Sequence, residues 1–226
     1  MPREGYQEQL DSLRDDVLYM SEIVLERLRM GLDALERKDE EQARDIIERD
    51  EEINELYLDL EQDCIDLLAL QQPVAGDLRF IAATFKILTD LERIGDLATN
   101  LGGYTLDAEQ EVFPEVDVQA IGEQTIEMVE DAMMAYADRD PEACYEIADR
   151  DDDIDERCRD ASALVVRDLI ERELEGPTSD EEVERLMQDV SRVLLTIRDL
   201  ERVGDHAVNI AARTLYMVEN DADLLY

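Results

Sequence analysis

Glu92 and Asp96 stand four residues apart and return, 109 residues later, as Glu201 and Asp205. On a helix that spacing stacks both carboxylates on one face. Like charges so placed cost a helix about 0.2–0.5 kcal/mol, so an arrangement built twice points to something positive opposite it. One candidate is a bound cation. The other is arginine: Arg93 and Arg202 are placed to pair with Asp90 and Asp199, three residues earlier, while arginines of other helices neutralise the glutamates. With 61 acidic residues among 226, about 16 acidic pairs at this spacing arise by chance, so a single pair carries no argument. The shared setting does. Asp90-Leu-Glu-Arg-Ile-Gly-Asp-Leu-Ala-Thr-Asn100 matches Asp199-Leu-Glu-Arg-Val-Gly-Asp-His-Ala-Val-Asn209 at eight of eleven positions, so the chain is one unit built twice.

A second repeated block supplies further carboxylates. Glu48-Arg-Asp-Glu-Glu-Ile-Asn-Glu55 aligns with Asp149-Arg-Asp-Asp-Asp-Ile-Asp-Glu156 at a shift of 101. Asp50 lies between Ile46 and Ile53, and Asp151 between Ile147 and Ile154, at helical spacing. Each aspartate interrupts an apolar stripe and so faces the bundle, where a carboxylate needs a partner. If the second and third helices of each half are neighbours, Asp50 meets Glu92 and Asp96. Asp151 and Asp155 then meet Glu201 and Asp205. Such all-oxygen clusters suit hard or borderline cations such as magnesium, calcium, manganese or iron. Gly95 and Gly204, mid-helix before the second carboxylate, are expected to serve close helix approach or, failing that, ion access. His206 is the only histidine, and its counterpart is Leu97, so it reads as incidental.

These residues need helices to position them. Leu28, Leu32 and Leu35 recur at helical spacing, as do Ile53, Leu56, Leu60 and Leu67. Asp39, Asp140 before Pro141, and Ser179 with Glu182 are N-cap signals. Gln71-Gln-Pro73 breaks a helix. The pattern predicts an all-α fold of six long helices, at 6–37, 39–71, 74–105, 116–138, 141–173 and 180–218. They form two pseudo-symmetric three-helix bundles, 1–110 and 111–226, joined through Asp107–Pro114. The two shifts differ by eight, which places extra residues mostly in Leu174-Glu-Gly-Pro-Thr-Ser179.

Composition narrows the function. No apolar run approaches a membrane span or a signal-peptide core, which gives the expectation of a cytoplasmic protein. Cys64, Cys144 and Cys158 have no metal-ligand spacing and read as buried thiols in a reducing compartment. The net charge of −39 fits the carboxylate-rich surface of a halophile, hydrated and screened at molar salt. No basic stripe exists to neutralise nucleic-acid phosphates, so direct nucleic-acid binding is not expected. The Glu-x-x-His pairs of di-iron bundles, phosphate-binding glycine loops and nucleophile elbows are all missing, so catalysis is not expected.

Gln72-Pro73, Asp77-Leu78-Arg79 and the doubled Asp-Leu-Glu-Arg-x-Gly-Asp block resemble the PhoU family, phosphate-uptake regulators that accompany Pst-type ABC transporters. The resemblance spans essentially the whole chain and its duplication. It implies two three-helix bundles with multinuclear metal sites on their surface. The family motif, an acid and an aspartate separated by three residues, lands on Glu92/Asp96 and Glu201/Asp205. Its second-helix counterparts are Asp50/Asn54 and Asp151/Asp155. Asn54 departs from the acidic pattern, so the first site is expected to bind metal more weakly or with another stoichiometry. The metal would be a divalent or ferric ion, with iron, manganese, magnesium, zinc and calcium all open. The resemblance also implies negative regulation of phosphate import and starvation signalling, without catalysis. Its partners would be the transporter's ATPase subunit and a sensor kinase, with a homodimer common in the family and the membrane reached only through the transporter. Two alternatives stand beside it: a metal-free helical adaptor of another transporter, and a metal-dependent phosphohydrolase or oxidase.

Overall fold

The computed structural model describes residues 2–71, 73–108, 116–174 and 179–225. In chain order its helices are α1 Pro2–Arg37, α2 Glu40–Glu48, α3 Asp50–Gln71, α4 Ala75–Leu106, α5 Val118–Asp138, α6 Pro141–Leu174 and α7 Asp180–Glu219. A short 3-10 turn follows at Asp223–Leu225, and no strand occurs among the described residues. These helices fill the six expected segments. Only the second segment is divided, at Arg49, into α2 and α3. Its counterpart α6 runs unbroken. Gly102 marks the difference: a Cβ there would stand 3.0 Å from the Ala43 carbonyl oxygen, whereas the matching position in α7 is Ala211. The bare backbone lets α2 tilt onto α4 and bury Ala43 and Ile46 with Ala34 as a small separate cluster. The expected division at 110/111 falls outside the described residues, as do Gln72 and positions 175–178 of the breaker-rich stretch.

The ends are set by local chemistry. Asp39 accepts the Glu41 and Gln42 N–H groups at 3.0 Å, and Asp140 accepts those of Glu142 and Ala143 at 2.9 and 3.3 Å. Ser179 and Glu182 form the expected reciprocal capping box at the start of α7. Lys38 and Arg139, repeat-mates at the shift of 101, both take the left-handed conformation that ends a helix, with φ 55° and 56°.

α1 packs on α4, α4 on α7, α7 on α5, and α5 back on α1. α2 and α3 cover the α1/α4 side, and α6 covers the α5/α7 side. Each half is thus a three-helix unit, and the two share one continuous core. Leu88, Leu91, Ile94, Leu97 and Leu101 run down α4, answered on α7 by Val203, Ala207, Ile210, Ala211 and Leu215. Burying a large aliphatic side chain stabilises the fold by roughly 1.5–3 kcal/mol, so this seam holds α4 and α7 together. Cys64, Cys144 and Cys158, on α3 and α6, are free and buried in the shared core.

Candidate functional site

The repeated blocks meet where α4 and α7 cross antiparallel. Asp90 lies opposite Asn209, and Asp199 lies opposite Asn100. Asn100 Nδ2 donates to Asp199 Oδ2 at 3.0 Å, and Asn209 Nδ2 donates to Asp90 Oδ1 at 3.4 Å. Each block therefore begins with the acceptor and ends with the donor for the other copy. Both aspartates are buried, at 6% and 5% exposed, and so depend on these partners. Tyr104 Oη adds a second donor to Asp199 at 2.7 Å, and Arg202 approaches the same carboxylate at 3.6 Å. Arg93 makes no such pair with Asp90. His206 takes that place: its Nδ1 and Asp90 Oδ1 share a hydrogen bond of 2.8 Å. The reading of His206 as incidental is therefore corrected; it is a buried partner across the seam between halves.

The carboxylate pairs lie beside this seam, in two grooves. α3 packs on α4 and brings Asp50 to Glu92 and Asp96; α6 packs on α7 and brings Asp151 and Asp155 to Glu201 and Asp205. Burial raises the Glu92 carboxyl above its ordinary range, with Asp96 and then Asp50 adding repulsion. Burial likewise raises Asp96, with Asp50 next. In the second groove burial raises Glu201 and Asp205, and Asp155 is the next cause for both. Asp151 is affected most: burial first, then Asp205 and Asp155, push it up to about 6.

The grooves differ in how they satisfy their aspartates. Asp50 is fully partnered: Thr99 Oγ1 donates to Oδ1 at 2.7 Å, and Asn54 Nδ2 donates to Oδ2 at 3.1 Å. In the second groove the matching residues are Asp155 and Val208, neither of which donates. Asp151 Oδ1 is left buried with no hydrogen-bond partner. The glycines divide in the same way. Gly95 admits Ile53, whose side chain would lie 3.1 Å from a Cβ there, and so serves helix packing. Gly204 admits the orphaned Asp151 Oδ1 itself, at 3.4 Å from such a Cβ.

An unpartnered buried carboxylate oxygen among three further carboxylates fits a cation, and these oxygen donors suit a hard or borderline one. Asp151, Asp155, Glu201 and Asp205 would hold it. Asp50, Glu92 and Asp96 would offer a cation less, since Asn54 and Thr99 already donate to Asp50. Among the described residues no group of three or more such side chains stands close enough to hold a metal ion, so these carboxylates would have to close in on one.

Fold and grooves together define a class: an all-α protein made of two copies of one three-helix domain, each with an acidic face. The family model described as PhoU domain matches residues 17–105 and 118–214, one match in each half. The chain belongs to the PhoU family. It is 34% identical over 213 residues to the phosphate-specific transport system accessory protein PhoU homolog of Pseudomonas putida, covering 93% of this chain and 79% of that protein. It is 33% identical to PhoU homolog 1 of Methanothermobacter thermautotrophicus, over 96% of this chain and 95% of the relative. The crystal structure of PhoU from Pseudomonas aeruginosa superposes with a TM-score of 0.85 at 30% identity, covering 96% of this chain and all of that one. The phosphate transport system regulatory protein PhoU of Streptococcus pneumoniae gives 0.85 at 27% identity, over 96% and 98% of the two chains. No helix among the described residues is long and apolar enough to cross a membrane.

Proposed function

We propose that this protein regulates phosphate uptake as the accessory protein of a Pst-type phosphate ABC transporter, acting on the transporter's ATPase subunit. The observation that carries this reading is the likeness, over nearly the full chain and in both halves, to proteins named as accessory to or regulatory of phosphate transport. The protein acts by binding, in the cytoplasm and as a homodimer, and restrains import and starvation signalling; a sensor kinase is the second partner. The grooves supply the cation dependence. A cation bound there would reverse the sign of an otherwise repulsive acidic face, opening it to phosphate or to acidic surfaces of a partner. Asp151, Asp155, Glu201 and Asp205 orient and hold that charge, and the Asp90–Asn209 and Asp199–Asn100 contacts fix the spacing of the two grooves.

Co-purification of the full chain with the ATPase subunit, together with phosphate uptake in cells lacking the gene, tests this. Association and faster uptake in the deletion strain are expected, with uptake restored to its restrained level by the wild-type gene. No association and unchanged uptake would overturn the reading. A second reading, a metal-free adaptor, is favoured by one observation: Asn54 and Thr99 satisfy Asp50 without any ion. It is distinguished by association that survives chelation and substitution of the second-groove carboxylates.

A further inference from the structure

A cavity of about 340 Å³ opens at the end of the bundle where α1 and α4 begin and α5 and α7 finish. Three guanidinium groups line it, those of Arg14, Arg79 and Arg139. In a chain with 61 acidic and 22 basic residues, that convergence runs against the surroundings. Asp11 and Asp77 also line the cavity, so its walls carry three positive groups against two negative ones.

The arginines are held but not neutralised. Arg139 sits in the left-handed turn that closes α5, and its Cζ lies 5.9 Å from the centroid of the Phe80 ring. That ring is itself stacked on buried Tyr136, with centroids 6.3 Å apart. Among the described residues Arg14 has only a distant contact at 3.9 Å, with the exposed Asp15. Its charge and that of Arg139 both reach the Tyr136 hydroxyl, and both residues line the same cavity. Arg79 is the telling one: its Nε is buried without an acceptor, and it forms no ion pair among the described residues. A buried guanidinium N–H left unmatched at the cavity is available to an acceptor that enters it. The start of α4 adds to the same field. Its N-cap is Val74, which offers no side-chain acceptor, so the first-turn N–H groups stay available beside Gly76. Nothing lies within 4 Å of where a Gly76 side chain would begin, so approach is open.

We propose that this cavity is an oxyanion site that takes a phosphate group, either inorganic phosphate or the phosphoryl end of a small phosphate ester. Guanidinium forks match the tetrahedral oxyanion and bind it bidentately. The volume leaves room for a substituent beyond the phosphoryl group. The site is separate from the acidic grooves: Gly76 and Asp96 are 20 residues apart on one helix, which at 1.5 Å per residue is about 30 Å. It rests on the arginines alone and stands whether or not the regulatory reading does.

Phosphorus NMR of the full-length protein, stripped of metal by a chelator, tests it with inorganic phosphate and separately with glycerol 3-phosphate. Saturable line broadening of at least one is expected, and the tighter of the two identifies the source. Arg79→Gln and Arg139→Gln should each weaken binding by about tenfold or more, the loss of a charge-assisted hydrogen bond. Arg44→Gln, at an exposed arginine outside the cavity, should bind as the wild type does. No broadening of either compound by the wild type would overturn the proposal, as would equal broadening by the arginine variants with circular dichroism showing them folded.

Discussion

Replacing Asp151 by asparagine should stabilise the metal-free protein, and more so at pH 8 than at pH 5. The reason is the orphaned Oδ1, which no donor satisfies, together with Asp155, Glu201 and Asp205 around it. The folded-state carboxyl titrates at about 6 against an ordinary value of 3.8, so the folded protein holds this proton more tightly than the unfolded chain. The associated stability is fully present below pH about 4 and is lost as pH rises through about 6. Between pH 8 and pH 5 the shift is worth about 1.4 kcal/mol at most, and about 1 kcal/mol after allowance for solvent screening in an open groove. Asparagine removes the charge and the dependence together. Urea unfolding of both proteins in chelator, at the two pH values, reads the difference directly, because titration of the other carboxylates largely cancels between them. Parallel loss of stability by wild type and Asp151→Asn from pH 5 to pH 8 would refute the reasoning.

The seam between halves gives a second prediction. Tyr104→Phe and Asn100→Ala should each destabilise by about 1–2 kcal/mol in urea unfolding, since each removes a donor from buried Asp199, and the double variant should depart from additivity. Two adjacent glycines in α4 should respond with opposite signs. Gly103→Ala, where a Cβ meets nothing within 4 Å, should stabilise by about 0.5–1 kcal/mol, measured as a higher melting temperature. Gly102→Ala should lower it, because that Cβ stands 3.0 Å from the Ala43 backbone oxygen, which cannot rotate away. Burial pushes the Cys64 and Cys158 thiols up to about 12 and Cys144 up to about 11, so a thiol reagent at pH 8 should modify none of them until the protein unfolds.

Periodicity, caps and the internal repeat were enough to place the helices, because each of those signals is local. Asp39, Asp140 and Ser179 cap where the sequence says they should. The break at Arg49 was not legible, because its cause is the approach of Ala43 to Gly102, far away in the chain. The grooves were partly legible. Asp50 and Asp151 betrayed themselves by interrupting apolar stripes, and both do meet the repeated carboxylate pairs. The unequal satisfaction of the two aspartates was half legible, since Asn54 stands where the second copy has Asp155; the other half depends on Thr99 and Val208, one helix over, which no motif in the second helix records. Asp90, Asn100, Asp199 and Asn209 were overlooked as a set, although a signal existed: they are the matching ends of the doubled block. An Asp and an Asn ten residues apart, present in both copies, is what two antiparallel helices need to cross-link reciprocally. The basic cavity had no sequence signal, since Arg14, Arg79 and Arg139 come together only when three helices converge.

Elemental mass spectrometry of the purified protein tests most directly whether the acidic grooves hold a cation. Protein prepared in high salt would be compared with Asp151→Asn/Asp155→Asn/Glu201→Gln/Asp205→Asn and with Glu92→Gln/Asp96→Asn. Stoichiometric metal in the wild type, lost with the second-groove carboxylates and largely kept without the first-groove pair, is the expected result. Metal absent from the wild type, or retained equally in both variants, would contradict it.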